Sequence, residues 1–155
     1  MKTKILLTTL AVFLSISTLH AFVKPAPKIV KRITDVNKSK LLAEVTKNVE
    51  YDNAKASIRK SYYSNLNSLA KIIVKDGYAV SLRGHADSIG KYKPNWVLSD
   101  KRATAVKNYL IKRGVKEDLI IATPYGSTVP IASNKTLKGR QKNRRVEIEL
   151  KEISI

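Results

Sequence analysis

No cysteine occurs in the chain, and only two of its 155 residues are histidines. The missing thiols exclude disulfide bonds, thiolate metal sites and a nucleophilic cysteine paired with histidine. His20 falls in a leader-like N-terminus, so His85 is the only histidine of the remaining chain. One histidine cannot build a multi-histidine metal cluster, and the sequence also lacks a phosphate-binding loop and a dinucleotide-binding glycine motif. We therefore expect neither a metal nor a cofactor.

Acidic residues are scarce, with 12 against 30 lysines and arginines, and the formal net charge is +18. A field of this sign attracts polyanions such as nucleic acid, anionic lipid surfaces or acidic cell-wall polymers. The charge alone predicts attraction to a polyanion and does not choose among these partners.

Long hydrophobic runs are absent except at the N-terminus, where "ILLTTLAVFLSIS" follows the basic start "MKTK". This run of about 13 residues is shorter than the roughly 20 that an uncleaved anchor helix would need. The layout predicts a secretory signal peptide over residues 1–21, cleaved near Ala21. No cysteine follows that position for lipid attachment, and no second long apolar run occurs after it, so we expect a mature chain with neither a lipid anchor nor a transmembrane segment.

Two parts follow the predicted signal peptide. Residues 22–40 are rich in lysine and arginine, contain two prolines and show little periodicity. They predict a basic tail or linker, with one short edge strand at residues 28–34. Residues 41–155 are long enough for one domain with its own core.

Within that domain the periodicity predicts an α+β fold. Helices are predicted over residues 61–75, with Ser61 as N-cap, and over residues 94–113. Alternating segments predict strands at residues 45–51, 78–84, 119–126 and 144–150. The resulting order β-α-β-α-β-β predicts a mixed sheet with helices packed on one face.

The stretch "GHADSIGKYKPNWVLSDKRA" contains an aspartate and an arginine that are candidate binding residues. Asn95, Leu98, Ser99 and Arg102 are spaced i, i+3, i+4 and i+7, and so lie on one helix face. If that face meets the loop carrying Asp87, the acid can accept from an ammonium while the guanidinium binds a carboxylate. An amino-acid head group would satisfy both. The alternative is a plain Asp87–Arg102 salt bridge that ties the loop to the helix.

The same stretch, extended to "GHADSIGKYKPNWVLSDKRATAVKNYL", resembles the signature of the OmpA-like peptidoglycan-binding domain family. Its elements are Gly-His-x-Asp, then Asn-x-x-Leu-Ser-x-x-Arg-Ala, then a valine and Tyr-Leu. Two further segments, "VEYDNAKASI" and "YGSTVPIASNKTLKGRQKNRRVEIEL", are similar to the opening and the closing of that domain. The resemblance covers residues 45–150.

The resemblance implies a non-catalytic periplasmic domain that binds the diaminopimelate of the peptidoglycan stem peptide. It would anchor a component of the cell envelope to the wall. The resemblance also allows outer-membrane association and contacts to other envelope proteins. In the family the motif aspartate and arginine, here Asp87 and Arg102, hold the ammonium and carboxylate of diaminopimelate. The resemblance further implies a lining of Asn95, Leu98 and Ser99, and a ligand contact from at least one residue of the pair Arg144 and Arg145.

The sequence departs from the family pattern where Ala86 replaces the usual threonine and "KYKP" makes the connection before Asn95 more basic. Two alternatives stay open. An exported basic protein could bind nucleic acid or lipopolysaccharide through Lys91, Tyr92, Lys93 and Trp96, although nucleic acid is the less favoured partner. A hydrolase could use His85 and Asp87, although no serine motif accompanies the histidine and we expect it to be structural, hydrogen-bonding the loop.

Overall fold

The computed structural model describes residues 27–153, except for the side chains of residues 27–30 and 33. The predicted signal peptide and the beginning of the predicted tail lie outside these residues. Among the described helices, none is both long and apolar enough to cross a membrane.

Within residues 27–153, four strands form one mixed sheet in the order β1-β4-β2-β3. Strand β2 pairs with β3 in parallel and with β4 antiparallel, and β1 pairs with the outer edge of β4 antiparallel. Four α-helices of the described part of the chain connect or flank the strands. The elements in chain order are α1 (Pro27–Val45), β1 (Val49–Glu50), α2 (Tyr63–Asp76), β2 (Tyr78–Gly84), α3 (Tyr92–Ile111), β3 (Ile120–Pro124), α4 (Leu137–Asn143) and β4 (Arg145–Glu152).

The core lies between the sheet and helices α2 and α3. Every second residue of β2 is buried, beginning with Tyr78, as expected for a strand covered on one face. The predicted stripe of α2 is buried, and so are Val106 and Leu110 of α3. These observations confirm the α+β fold with a mixed sheet and helices on one face. The α2 stripe consists of Leu66, Leu69, Ala70 and Ile73.

The prediction for residues 28–34 is wrong, because helix α1 covers them instead of an edge strand. Pro27 is the first helical residue, where its missing N–H loses no hydrogen bond, and neither glycine nor proline interrupts residues 28–45. Val45 is buried and Leu42 packs against the core, so the end of α1 docks on the domain. Tertiary contact thus stabilises a helix that the weak periodicity of its sequence did not predict.

Three smaller differences concern element boundaries. A 3-10 turn over Lys60–Tyr62 precedes α2, so Ser61 is not its N-cap. Strand β1 has two residues where seven were predicted. Helix α4 lies in a segment predicted as loop, and the Thr136 side chain caps it by accepting from the Gly139 N–H at 3.0 Å.

Gly84 fixes how closely β2 approaches α3. A Cβ on this residue would lie 2.0 Å from the carbonyl oxygen of Ser99, which is backbone and cannot move aside. After the ends of β2 and β3, the Ala86 N–H donates to the Gly126 carbonyl at 2.7 Å. This bond extends the pairing of the two strands into the loops that follow them. The chain therefore leaves the sheet directly beside α3, and this places Asp87 next to that helix.

Candidate functional site

A cavity of about 250 Å³ opens where the loop after β2 meets the first turns of α3. Its walls come from the loop after β1, the loop after β2, helix α3, which follows that loop directly, and Arg144 between α4 and β4. The lining residues are Asn53, Ala54, Ala86, Asp87, Ile89, Gly90, Pro94, Asn95, Leu98, Arg102 and Arg144. Five of the seven predicted site residues, Asp87, Asn95, Leu98, Arg102 and Arg144, thus come together around one opening.

Asp87 is 4% exposed and is held from two sides. Its Oδ1 accepts from the Ile89 backbone N–H at 3.0 Å, and its Oδ2 accepts from Nη1 of Arg144 at 2.7 Å. The alternative prediction of an Asp87–Arg102 salt bridge is wrong. Asp87 forms its salt bridge with Arg144. The carboxylate is fixed in orientation before any ligand arrives.

Arg102 forms the floor of the cavity and has 0% exposure. Its guanidinium donates to three backbone carbonyls, those of Lys55 at 2.9 Å, His85 at 2.8 Å and Asp52 at 3.2 Å. Burial lowers the pKa of Arg102 to about 10, and the side chain stays protonated at neutral pH. Two of its five N–H groups have no hydrogen-bond partner among the described residues.

Tyr51 is fully buried beneath this arginine and was not predicted as a site residue. Its ring lies 5.3 Å from the Arg102 guanidinium carbon, and its hydroxyl donates to the Arg102 carbonyl at 3.2 Å. The Tyr51 carbonyl accepts from Nε of Arg144 at 3.1 Å. One residue therefore positions both arginines of the cavity, and burial raises the pKa of its hydroxyl, which stays protonated.

Asn95 shapes the loop that carries the aspartate. Its Nδ2 donates to the carbonyls of Asp87 at 3.1 Å and Ile89 at 3.0 Å. Gly90 closes this loop with φ at +95°, a conformation that strongly favours glycine. Leu98 follows one helical turn later and supplies a half-buried apolar wall.

Ser99 and Arg145 do not line the cavity. The Ser99 hydroxyl donates to the Trp96 carbonyl at 2.7 Å and accepts from the Gly126 N–H at 2.9 Å, so it ties a turn to α3. Arg145 has 0% exposure and points to the sheet face opposite the helices. There its Nε donates to Glu147 at 2.9 Å, and its Nη2 reaches the Val129 carbonyl at 3.3 Å.

His85 belongs to the same far-face cluster as Arg145. Its ring is 2% exposed and stacks on Tyr125 at 5.3 Å. Neither ring nitrogen has a hydrogen-bond partner within residues 27–153, and Oε2 of Glu147 lies 3.6 Å from Nε2. Burial and the charge of Arg145 lower the pKa of His85 to about 4, so the imidazole is neutral at pH 7. The expected hydrogen bond from the ring to the loop is therefore wrong: the hydrogen bonds of His85 are made by its backbone, whose N–H donates to the Arg145 carbonyl at 2.8 Å and whose carbonyl accepts from Nη1 of Arg102 at 2.8 Å. The ring also does not pair with Asp87 as the hydrolase alternative requires.

Ala54 lines the cavity and was also not indicated by the sequence. It has φ at +54°, which is uncommon for a residue with a side chain, and it lies between the two loop carbonyls that Arg102 holds. The arginine thus fixes this wall as well as the floor. The positive φ of an alanine carries no signal in the sequence.

The predicted aromatic and basic surface exists beside the cavity. Tyr92 is 61% exposed and Trp96 39% exposed, with ring centroids 5.8 Å apart, and Lys91 and Lys93 are exposed next to them. The backbone and the ring atom Cε3 of Trp96 lie against Gly126.

The chemistry of the cavity follows from its charges. One carboxylate and two guanidinium groups surround an opening with apolar walls, which suits a ligand that carries both an ammonium and a carboxylate. Within residues 27–153, no cluster of three or more histidine, aspartate or glutamate side chains could hold a metal ion.

Comparison with known proteins gives relatives in sequence and in structure. Outer membrane porin F of Pseudomonas aeruginosa is 34% identical over 121 residues, which cover 75% of this chain and 35% of the porin. The peptidoglycan-binding protein ArfA of Mycobacterium tuberculosis is 42% identical over 101 residues, covering 64% of this chain and 31% of ArfA. The chain therefore spans about a third of the length of these curated relatives.

Two crystal structures share the fold. The peptidoglycan-associated lipoprotein from Burkholderia pseudomallei superposes with a TM-score of 0.68 at 25% identity, over 72% of this chain and 93% of that chain. The C-terminal domain of Helicobacter pylori MotB gives 0.63 at 32% identity, over 70% and 86%. The OmpA family itself matches residues 51–144, a range that includes every residue lining the cavity. The predicted resemblance is confirmed, and the chain belongs to the OmpA family.

Proposed function

We propose that this chain binds peptidoglycan by holding the zwitterionic head group of a diaminopimelate residue in the cavity, and that it thereby anchors an envelope component to the wall. The observation that carries the proposal is the joint lining of one opening by Asp87, Arg102 and Arg144. Family membership supports it, because relatives of the chain bear the names peptidoglycan-binding protein and peptidoglycan-associated lipoprotein. We propose no catalytic role for the site.

The ligand ammonium would approach Asp87. Each of its carboxylate oxygens accepts one hydrogen bond within the protein and has a further lone pair free. The ligand carboxylate would accept from the unengaged N–H groups of Arg102 and Arg144, which lie on the floor and at the wall. A cavity of about 250 Å³ has room for an amino-acid head group.

The test is retention on purified sacculi that contain diaminopimelate, combined with calorimetry on a soluble stem tripeptide. Asp87→Asn keeps the shape of the side chain and removes its charge, and we expect binding to weaken at least thirtyfold, corresponding to about 2 kcal/mol or more. The matched control is Asp100→Asn, because Asp100 is exposed on α3 and does not line the cavity. Unchanged retention of Asp87→Asn would refute the site.

The identity of the ligand residue is tested separately. Sacculi that carry lysine in place of diaminopimelate present the ammonium without the neighbouring carboxylate. We expect the chain to release these sacculi at a salt concentration that leaves diaminopimelate-type sacculi bound. Equal retention on both would mean that the carboxylate is not recognised.

The exposed pair Tyr92 and Trp96, with Lys91 and Lys93 beside it, supports a second candidate, which is binding of a nucleic acid strand by stacking and charge. Such binding would fall steeply with salt and would be lost in Trp96→Ala while Asp87→Asn keeps it. The wall-binding proposal expects the opposite pattern.

A further inference from the structure

A second opening adjoins the cavity on the outer side of α3. It has a volume of about 370 Å³ and is lined by Lys93, Pro94, Val97, Leu98 and Lys101. Pro94 and Leu98 line both openings, so the two are continuous across these side chains. We call this second opening the α3 groove.

We propose that the α3 groove is a second subsite, which binds the part of the stem peptide next to diaminopimelate through a free carboxylate that this part carries. The proposal rests on the proposed function and extends it from one residue of the wall to a peptide segment.

The arrangement of the groove fits a short anionic peptide. Its floor is apolar, with Pro94, Val97 and Leu98, while a lysine lies at each end. Lys93 and Lys101 are eight positions apart on one helix, which separates them by about 12 Å along the axis. An extended chain covers about 3.4 Å per residue, so three to four residues span the two lysines.

The charges of the groove favour a carboxylate over other groups. Both lysines are exposed, and neither has a salt-bridge partner among residues 27–153. An ammonium head is a compact cation that binds a carboxylate as a point charge and adapts to its position. The cavity binds the zwitterion with fixed groups, whereas the α3 groove contributes mobile cations over an apolar floor. A segment leaving the cavity over Leu98 meets these cations first.

The test compares three ligands by calorimetry with the full mature chain. Free meso-diaminopimelate reaches only the cavity. The tripeptide L-Ala-γ-D-Glu-meso-diaminopimelate adds one carboxylate next to it, and the same tripeptide with that glutamate carboxyl amidated removes the charge again. The groove variant is Lys93→Gln/Lys101→Gln. The control variant is Lys112→Gln/Lys116→Gln, which makes the same charge change at exposed positions outside both openings.

We expect the groove variant to bind the tripeptide about three- to tenfold more weakly than the wild type, because two exposed ion pairs contribute modestly. Free diaminopimelate should bind both proteins equally, and the amidated tripeptide should not distinguish them. Undiminished binding of the tripeptide by the groove variant, with Asp87→Asn still defective, would overturn the subsite and leave the cavity intact. An equal loss in the control variant would overturn it too, since the effect would then be one of net charge.

Failure of the proposed function gives a different result. In that case the wild type binds neither diaminopimelate nor the tripeptide, or Asp87→Asn binds both as well as the wild type does. This result would refute both the proposed subsite and the proposed binding site in the cavity.

Discussion

Arg144 and Arg145 are neighbours in sequence, yet they lie in two buried regions with different access to ligand. Arg144 pairs with Asp87 in the cavity, and 12% of its side chain is exposed. Arg145 pairs with Glu147 on the opposite sheet face, beneath the Val129 carbonyl, with no exposed side-chain surface. Arg145 is the first residue of β4, whereas Arg144 precedes the strand and ends α4, and the two side chains leave the backbone on opposite sides of the sheet. We call the surroundings of Arg144 and Asp87 the open region and those of Arg145 and Glu147 the closed region. Under the proposed function, an arginine serves binding in the open region and stability in the closed one.

The largest effect should come from breaking the closed region. Arg145→Gln removes one partner of a buried ion pair and leaves the carbonyls of Asn143 and Val129 without their donor. We expect the free energy of unfolding to fall by about 3–5 kcal/mol, measured by urea denaturation. The folded fraction should still bind sacculi. A loss below 1 kcal/mol would show that this cluster is not a stabilising region.

Acid should also act on the closed region, through His85. The pKa of His85 is lowered to about 4 in the folded state by burial and by the charge of Arg145, against 6.5 for the free group. Its contribution to stability is therefore fully present above pH 6.5 and is lost as the pH falls towards 4. We expect a decrease of about 2–3 kcal/mol over this window, measured by thermal unfolding at a series of pH values.

His85→Gln is the control for this pH dependence. The Gln variant should show a smaller slope between pH 6.5 and 4. Burial would raise the pKa of Glu147, but the hydrogen bond and charge of Arg145 outweigh burial and lower it below 4.5, so Glu147 contributes mainly below this window. An unchanged slope in the variant would mean that His85 is not the group that titrates.

The open region should respond in binding more than in stability. Arg144→Gln removes the bond to Asp87 at 2.7 Å and a cation from the cavity wall. We expect tripeptide binding to weaken about tenfold or more, with a loss of about 1–2 kcal/mol in unfolding free energy. Calorimetry and urea denaturation measure the two quantities, and Arg113→Gln, at an exposed position outside the cavity, is the matched control. A larger stability loss than that of Arg145→Gln would reverse the comparison.

The smallest effect should come from Tyr51→Phe. This change removes the hydroxyl that donates to the Arg102 carbonyl at 3.2 Å and keeps the ring under the guanidinium. We expect about 1 kcal/mol of lost stability and less than threefold weaker binding. Tyr51→Leu also removes the ring and should weaken binding further. If Phe and Leu weaken binding equally, the ring does not position Arg102.

The sequence predicted the sheet, the two main helices and their core faces well, because periodicity reports directly which side of an element is buried. It failed where packing decides the structure. Helix α1 shows little periodicity, and its docking through Leu42 and Val45 is visible only in the folded chain. Helix α4 has only seven residues, too few for a helical periodicity to be recognised in the sequence.

For the site, the motif resemblance identified Asp87, Asn95, Leu98 and Arg102, which the structure brings around one cavity. It also named Ser99, which instead ties a turn to α3 through Gly126. Helical spacing places Ser99 on the same face as Asn95 and Arg102, but spacing does not tell the part of a face that lines an opening from the part that is covered.

The sequence by itself determined the high positive charge, the absence of cysteine chemistry, the order of the main strands and helices, and the family of the domain. These properties depend on composition and on patterns between near neighbours in the chain. Only the tertiary structure decided that Asp87 pairs with Arg144, that carbonyls of two loops hold Arg102, and that Arg145 lies on the far face. Each of these contacts joins residues from separate elements or depends on which loop covers a face, and such placements are set when the helices and the sheet pack together.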